Sequence, residues 1–249
     1  MFSAARLLLL LLLSPISALA VTVQLATLEW PPYTSPHLPD GGLSTHIARQ
    51  AFARMGMDLK VSFFPWQRAV RLAAEPASPY VGFFPEYLPP TPTQWRISAS
   101  LGISPLGFAM RADRPIEWQT LGDLAPYRIG TVSGYINTAQ FDAMAAAGYL
   151  RVESATSDEL NLLKLTRQRL DMVVIDREVF HFLMNTSPRL SPWRGAIQFS
   201  PHTLEQKSLH IMFRPDREVL RRRFDEALQQ LDIPRLTQEY RQRLGNIQQ

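Results

Sequence analysis

The sequence contains no cysteine among its 249 residues. The protein therefore has no disulfide bond, no thiol nucleophile and no cysteine metal site, and it carries no lipid on a cysteine behind a leader. Its five histidines lack the H-E-x-x-H spacing of a metal site, and no Walker loop, G-x-S-x-G elbow or G-x-G-x-x-G loop occurs. We expect no metal, no cofactor and no enzymatic activity.

Long apolar runs are missing beyond the N-terminus. There, Arg6 precedes the leucine run 7–13, and small residues follow up to Ala20. This is the layout of a cleavable secretory signal, and the run is too short to span a bilayer. We expect cleavage after Ala20 and a mature protein in the bacterial periplasm.

Removal of the signal leaves 249 − 20 = 229 residues and removes one charge, Arg6, so that the net charge falls from +4 to +3. An exported protein does not meet nucleic acid, and the arginine cluster 221–223 is typical of a solvated helix face. We expect no nucleic-acid partner and a monomer.

The rest of the chain alternates short apolar strands with amphipathic helices. Between residues 21 and 84 the order is strand, helix, strand, helix, strand, which predicts a mostly parallel sheet with helices on its faces. The order repeats between residues 128 and 184, where Asn137 is predicted to cap one helix, and Thr156 and Glu159 have the spacing of a capping box that opens the next.

Two segments have the pattern of crossings between these units. Residues 106–115 and 208–217 each show an extended apolar run followed by Arg, Asp and Pro. Only helices follow the second crossing, so we expect them to return to the first unit. The sequence predicts an α/β fold with two lobes joined by a two-strand hinge: lobe 1 is 21–108 plus 211–249, and lobe 2 is 109–210.

The order of these features resembles the bacterial extracellular solute-binding proteins of family 3, which are periplasmic proteins for polar amino acids. Five stretches carry the resemblance: TLEWPPY, FPWQRA, LGDLAPYRIGTVSGY, RLDMVVID and LHIMFRPDREVLRRRFDEALQQL. It covers nearly all of residues 21–244. The resemblance implies a periplasmic binding protein fold of type II.

Strand ends supply the candidate ligand contacts, because ligands bind beyond the carboxyl ends of strands in open α/β sheets. Pro31 and Pro32 restrict the loop after the first strand, so Trp30 and Tyr33 can present apolar surface to the cleft, or else cover the core. The resemblance implies that Trp30 stacks on the ligand. Glu29 either orients this loop or meets a cationic ligand.

Two further strand ends are candidates. Asp176 ends an apolar strand and starts a helix, so it is a helix cap, a ligand anchor, or both. The resemblance implies that it binds the α-amino group of a ligand. Ser133, Gly134 and Tyr135 form either an ordinary turn or a site for an anion, because helix-start N–H groups favour negative charge.

The sequence departs from the family pattern at the arginine that clamps the ligand carboxylate. The corresponding region reads PPTPTQWRIS and lacks the expected Glu-Arg pair. Arg96 and Arg68 are candidate replacements. Loss of the clamp weakens the case for a free α-amino acid and favours an aromatic, cationic or peptide-like ligand.

The resemblance implies a protein that closes on a small polar solute, an amino acid or related compound, and delivers it to an inner-membrane ABC permease. Two alternatives stay open. One is an enzyme similar to periplasmic cyclohexadienyl dehydratases, with Glu29 or Glu86 as a general acid of raised pKa. The other is a ligand sensor that acts on a separate receptor.

Overall fold

The first lobe is built on a parallel core of three strands. The computed structural model describes residues 21–247; the predicted signal peptide lies outside them. In this lobe, β1 pairs in parallel with β2 and β3. The elements are β1 (Val21–Thr27), α1 (Leu43–Arg54), β2 (Met57–Phe63), α2 (Trp66–Ala74), β3 (Gly82–Tyr87) and the short β4 (Arg96–Ile97).

The second lobe repeats this construction. Here β6 lies between β7 and β8 and pairs in parallel with both. Every residue of β8 is buried, as its apolar sequence predicts. The elements are β6 (Arg128–Val132), α3 (Ala139–Ala146), β7 (Arg151–Ala155), α4 (Asp158–Thr166), β8 (Met172–Asp176) and α5 (Arg177–Thr186).

Two long antiparallel strands connect the lobes, β5 (Gly102–Arg111) and β9 (Ile197–Phe213). They pair with each other from Gly102 opposite Leu209 to Arg111 opposite Ile197. Beyond this region, β9 pairs with β3 of the first lobe and β5 pairs with β8 of the second. The strand order is β2-β1-β3-β9-β5-β8-β6-β7, with β4 beside β9.

The C-terminal helices, α6 (Glu218–Gln229) and α7 (Ile233–Ile247), pack against the first lobe. The Phe224 ring lies 4.9 Å from that of Phe52 in α1 and 5.6 Å from that of Phe213 in β9. The Tyr240 hydroxyl donates a 2.8 Å hydrogen bond to the Pro39 carbonyl. Among the helices between residues 21 and 247, none is long and apolar enough to cross a membrane.

Two predicted helix caps are wrong by one residue. Ser157 rather than Thr156 caps α4, since its hydroxyl accepts a 3.3 Å hydrogen bond from the Leu160 N–H. Thr138 rather than Asn137 caps α3, through the Phe141 N–H. The Asn137 amide instead donates to Asp142, at 2.8 Å. The first shift places Asp158 at the opening turn of α4, which matters for the site.

Candidate binding site

The loop after β1 holds its two aromatic rings as a stacked pair. Main-chain hydrogen bonds join Trp30 and Thr34 in both directions, at 2.7 and 3.0 Å, and close a tight turn. The rings of Trp30 and Tyr33 lie 4.7 Å apart at 28°. Both side chains are buried. Trp30 lines the space between the lobes, and Tyr33 packs against the Trp30 ring.

Aromatic rings from both lobes converge on Trp30. Tyr87 at the end of β3 and Tyr135 after β6 meet its ring edge-on, at 6.3 and 6.4 Å. Trp66, the first residue of α2, meets Tyr135 at 6.3 Å. These four rings line a small, partly open space of about 20 Å³, which we call the inner cavity. Leu28, Pro85, Glu86, Ile136 and Leu209 complete its lining.

A larger space, the outer cleft, opens from these rings to solvent. It measures about 700 Å³ and shares Leu28, Trp30, Trp66 and Tyr135 with the inner cavity. The first lobe contributes the β1 loop and the β2–α2 connection, including Glu29 and Phe64. The second lobe contributes the start of α4 and one face of α5, including Asp158, Glu159, Phe182 and Ser187.

Asp176 lies at the end of β8, where it caps α5. One carboxylate oxygen accepts a 2.8 Å hydrogen bond from the Val179 N–H. The other accepts from the Tyr33 hydroxyl at 3.0 Å and from the Ser104 hydroxyl at 2.5 Å. The carboxylate is fully buried, which raises its pKa to about 6 despite these donors. Asp176 is therefore a cap that also ties the β1 loop to the second lobe, and it lines neither cavity.

Two carboxylates that line the cavities also have raised pKa values. Burial, and then the nearby Asp176, raises the pKa of Asp158 to about 7. Burial also raises the pKa of Glu86 to about 7, although the Tyr87 N–H and the Lys207 ammonium lower it. Asp158 lines the outer cleft and Glu86 lines the inner cavity. The two spaces that they line share the rings of Trp30, Trp66 and Tyr135.

The turn formed by Ser133, Gly134 and Tyr135 bonds to the protein itself. The Ser133 N–H donates to the Ala155 carbonyl at 2.8 Å, and the Tyr135 N–H donates to the Val132 carbonyl at 3.1 Å. These N–H groups are therefore already used. Of the predicted residues at this turn, Tyr135 reaches both cavities, and neither Ser133 nor Gly134 lines them.

The start of α2 lies directly on this turn and joins the two lobes. The Trp66 indole N–H donates a 3.1 Å hydrogen bond to the Gly134 carbonyl, and the Gln67 amide donates to the Ser133 hydroxyl at 3.0 Å. Gly134 has φ +82, and a Cβ placed there would lie 3.0 Å from the Gln67 side chain. Glycine allows both the turn and this close approach.

The two candidate arginines lie outside the aromatic site. Arg68 is exposed on α2, with its guanidinium 5.4 Å from the centre of the Phe64 ring. Arg96 is exposed on β4, 3.9 Å from Glu218. In the part of the chain that the structure describes, no arginine, lysine or histidine lines either cavity. Lys207 contacts the Tyr87 ring at 5.4 Å but pairs with Glu205, at 3.1 Å.

The structure thus brings Trp30, Tyr33, Tyr135 and Asp176 together and leaves Arg68 and Arg96 apart from them. Sequence reasoning missed Trp66, Tyr87 and Asp158. A signal for Asp158 existed: it lies three residues past the end of β7, close to a strand end as Asp176 is at the end of β8. Glu86 was considered only as a general acid.

Comparisons with known proteins identify the fold. No protein-family model matches this chain, and no curated protein matches its sequence. Among solved structures, the glutamate-bound GluR0 ligand-binding core from Nostoc punctiforme is 18% identical with a TM-score of 0.70, covering 88% of this chain and 96% of that chain. An arginine-bound Gly52Ala mutant of ArgBP from T. maritima is 15% identical with a TM-score of 0.66, covering 85% and 96%.

A histidine kinase sensor domain with similarity to periplasmic binding proteins is 16% identical with a TM-score of 0.72, covering 90% of this chain and 95% of that chain. Such low identities show the fold alone. The chain has the mixed α/β, two-lobed fold of periplasmic binding proteins.

Proposed function

We propose that this protein is a periplasmic solute-binding protein that closes its two lobes on a small polar solute and delivers it to an ABC importer. The observation that carries the proposal is the aromatic site itself. Trp30, Trp66 and Tyr87 come from one lobe and Tyr135 from the other, and together they line the inner cavity.

Direct bonds between the lobes support closure as the bound state. Trp66 and Gln67 of the first lobe bond to the turn after β6, and Tyr33 bonds to Asp176. A solute held from both sides favours the closed state, because only that state supplies both sets of contacts. The proposed hinge consists of β5 and β9, with lobe 1 as 21–108 plus 211–249 and lobe 2 as 109–210.

The similar structures support a small solute as the ligand. The GluR0 core binds L-glutamate and ArgBP binds arginine. Within the proposed site of this chain, Trp30, Tyr135 and the carboxylates around them contact the solute. Tyr33, Ser133, Gly134 and Asp176 position those groups and hold the closed state. Arg68 and Arg96 are proposed as contacts only for a longer ligand that extends beyond the outer cleft.

A thermal-shift panel tests this function. The mature protein, residues 21–249, is screened against the common amino acids, their decarboxylated amines, choline, glycine betaine and small peptides. A compound at about 100 times its Kd adds roughly 2.7 kcal/mol to the free energy of unfolding, which raises the Tm by several degrees. A panel in which no compound raises the Tm speaks against a solute-binding function.

One observation favours an enzyme as the second candidate. Glu86 lines the aromatic inner cavity, and its pKa of about 7 suits a general acid near neutral pH. A cyclohexadienyl substrate also carries a carboxylate, however, and no cationic side chain among residues 21–247 lines the cavity to meet it. Incubation with arogenate and prephenate distinguishes the two functions: product formation that Glu86→Gln abolishes favours the enzyme.

A sensory role uses the same cleft with a different partner. The similarity to a histidine kinase sensor domain is the observation behind it. Uptake of labelled solute in cells with and without this protein separates the two roles, because a sensor changes gene expression and leaves the initial uptake rate unchanged.

A further inference from the structure

We propose that the cleft is selective for a small organic cation without a free carboxylate, so that it binds an amine in preference to the amino acid from which that amine derives. This inference rests on the proposed function and names the substrate class of the same site. The charged ammonium group lies against the faces of Trp30, Trp66 and Tyr135, between Asp158 on one side and Glu86 on the other.

The aromatic walls fit a cation. Tryptophan and tyrosine faces attract ammonium groups through the negative charge of their π systems, and the attraction strengthens where water is excluded. Trp30 and Trp66 are buried, and they line both cavities together with Tyr135. A ligand that enters from the outer cleft therefore meets three aromatic rings before it reaches the inner cavity.

The charged groups at these walls are carboxylates, and Asp158 among them lacks a cationic partner. Asp158 is only 7% exposed, and the contributions to its pKa include no cation. The Trp30 indole N–H lies close enough to lower that pKa, yet it is a buried donor without a hydrogen-bond partner. The positive charge of an ammonium group at this point compensates the negative charge of Asp158. The carboxylate then stays ionised and can accept a hydrogen bond from the indole N–H.

Cationic groups that would bind a carboxylate are absent from the described lining of the same walls. No arginine, lysine or histidine between residues 21 and 247 lines either cavity. The Ser133 and Tyr135 N–H groups donate to carbonyls of the protein. A ligand carboxylate would thus be buried without a cationic partner, and the like charges of Asp158 and Glu86 would repel it.

The contrast with the whole chain strengthens this argument. The sequence carries a formal net charge of +4. The two cavities, by contrast, are lined by four carboxylates, Glu29, Glu86, Asp158 and Glu159, and by no basic residue among residues 21–247, so their lining has the opposite charge. Glu159 is paired with Arg189 at 2.9 Å and Glu29 is half exposed. Asp158 and Glu86 remain as the buried carboxylates at the aromatic walls.

Matched pairs of compounds test the inference by isothermal titration calorimetry at pH 8. The pairs are agmatine and arginine, cadaverine and lysine, tyramine and tyrosine, and choline and glycine betaine. In each pair the second compound adds a carboxylate. For at least one pair, the amine is expected to bind at least about tenfold more tightly, since a buried, unpaired carboxylate carries a large penalty.

Asp158→Asn provides a second readout. It is expected to weaken binding of the preferred amine at least about tenfold, because a hydrogen bond and ion pair to a buried charge is lost. Glu153→Gln is the matched control: Glu153 is exposed in β7 of the same lobe and 3.8 Å from Lys164, outside both cavities, and its substitution should leave the Kd unchanged.

The outcomes separate this inference from the proposed function. An amino acid that binds as tightly as its amine, or more tightly, overturns the inference while the solute-binding function stands. A panel in which nothing binds overturns both. Unchanged amine affinity in Asp158→Asn also overturns the inference, because the cation would then lie elsewhere.

Discussion

Neutralising Asp158 is expected to stabilise the free protein while it weakens ligand binding. The carboxylate is buried without a cation, and its pKa is raised from 3.8 to about 7. Near pH 8 the folded protein therefore holds a charge that its surroundings disfavour. Asp158→Asn removes the charge and keeps the size of the side chain.

The size of the effect follows from the pKa difference. About three pKa units at about 1.4 kcal/mol each give roughly 4 kcal/mol as an upper bound. The opposing effect is smaller: Asp158 lies in the first turn of α4, where a negative charge contributes about 0.3–1 kcal/mol. Burial dominates, so we expect a net gain in the free energy of unfolding at pH 8.

The effect of Asp158→Asn on the free energy of unfolding should depend on pH. Below pH 3.8 the carboxyl group is protonated in both folded and unfolded chains, so the substitution changes nothing through this route. The gain grows as the pH rises toward 7 and is constant above it. At roughly 2–4 °C per kcal/mol for a chain of this size, the Tm of Asp158→Asn should exceed that of the wild type by several degrees at pH 8.

Asp171→Asn is the control for this measurement. Asp171 accepts hydrogen bonds from the Arg128 side chain at 3.1 and 3.0 Å, and these contacts lower the pKa of its carboxyl group. Its loss should cost about 0.2–1 kcal/mol at pH 8. Differential scanning calorimetry at pH 4 and pH 8 compares the two variants. If Asp158→Asn lowers the Tm at pH 8, or raises it equally at both pH values, the reasoning on this buried charge is wrong.

Three further predictions concern binding and closure. Amine affinity should rise about tenfold between pH 5 and pH 8, because three carboxyl groups lose their protons over this range. They belong to Asp158, Glu86 and Asp176, with pKa values of about 7, 7 and 6. Calorimetry in buffers of different ionisation enthalpy should detect the released protons. Trp66→Phe should weaken amine binding at least about fivefold, because the 3.1 Å hydrogen bond between the lobes, worth about 1 kcal/mol, is lost and phenylalanine attracts a cation less strongly than tryptophan. Tyr33→Phe should lower the free energy of unfolding by about 1–3 kcal/mol in urea denaturation, since the buried Asp176 loses a donor.

Exposed residues of the same types serve as controls. Trp193→Phe and Tyr149→Phe replace residues that are 38% and 69% exposed, and both should behave like the wild type. Amine affinity that stays constant from pH 5 to pH 8 would contradict the role of the buried carboxylates. Equal effects of Trp66→Phe and Trp193→Phe on binding would contradict the role of the bond between the lobes.

Much of the fold could be predicted from the sequence because its strands are apolar and buried. The predicted order of strands and helices in residues 21–84 and 128–184 matches the observed order from β1 to β3 and from β6 to α5. The strand β9 was predicted only from residue 208, although it begins at Ile197. Residues 197–206 pair only with β5 and form a sheet edge, so side chains such as Gln198 and Glu205 remain polar and hide the strand. Pro201 adds a breaker that an edge tolerates.

The sequence predicts a site residue only where an aromatic or charged side chain lies at or close to the end of a predicted strand. Trp30 and Asp176 meet that condition. Asp158 also meets it, but the apparent capping box at Thr156 and Glu159 placed it inside a helix. The bond from Trp66 to Gly134 joins residues 68 positions apart in different lobes, and only the closed arrangement reveals it.

Closure of the two lobes around a solute is tested most directly by the distance between them. The chain has no cysteine, so Arg71→Cys on α2 and Gln140→Cys on α3, both exposed, can carry a pair of spin labels. Double electron–electron resonance should show a longer, broader distance distribution in the free protein and a shorter, narrower one with the amine that most raises the Tm. An identical distribution with and without that amine would contradict the account.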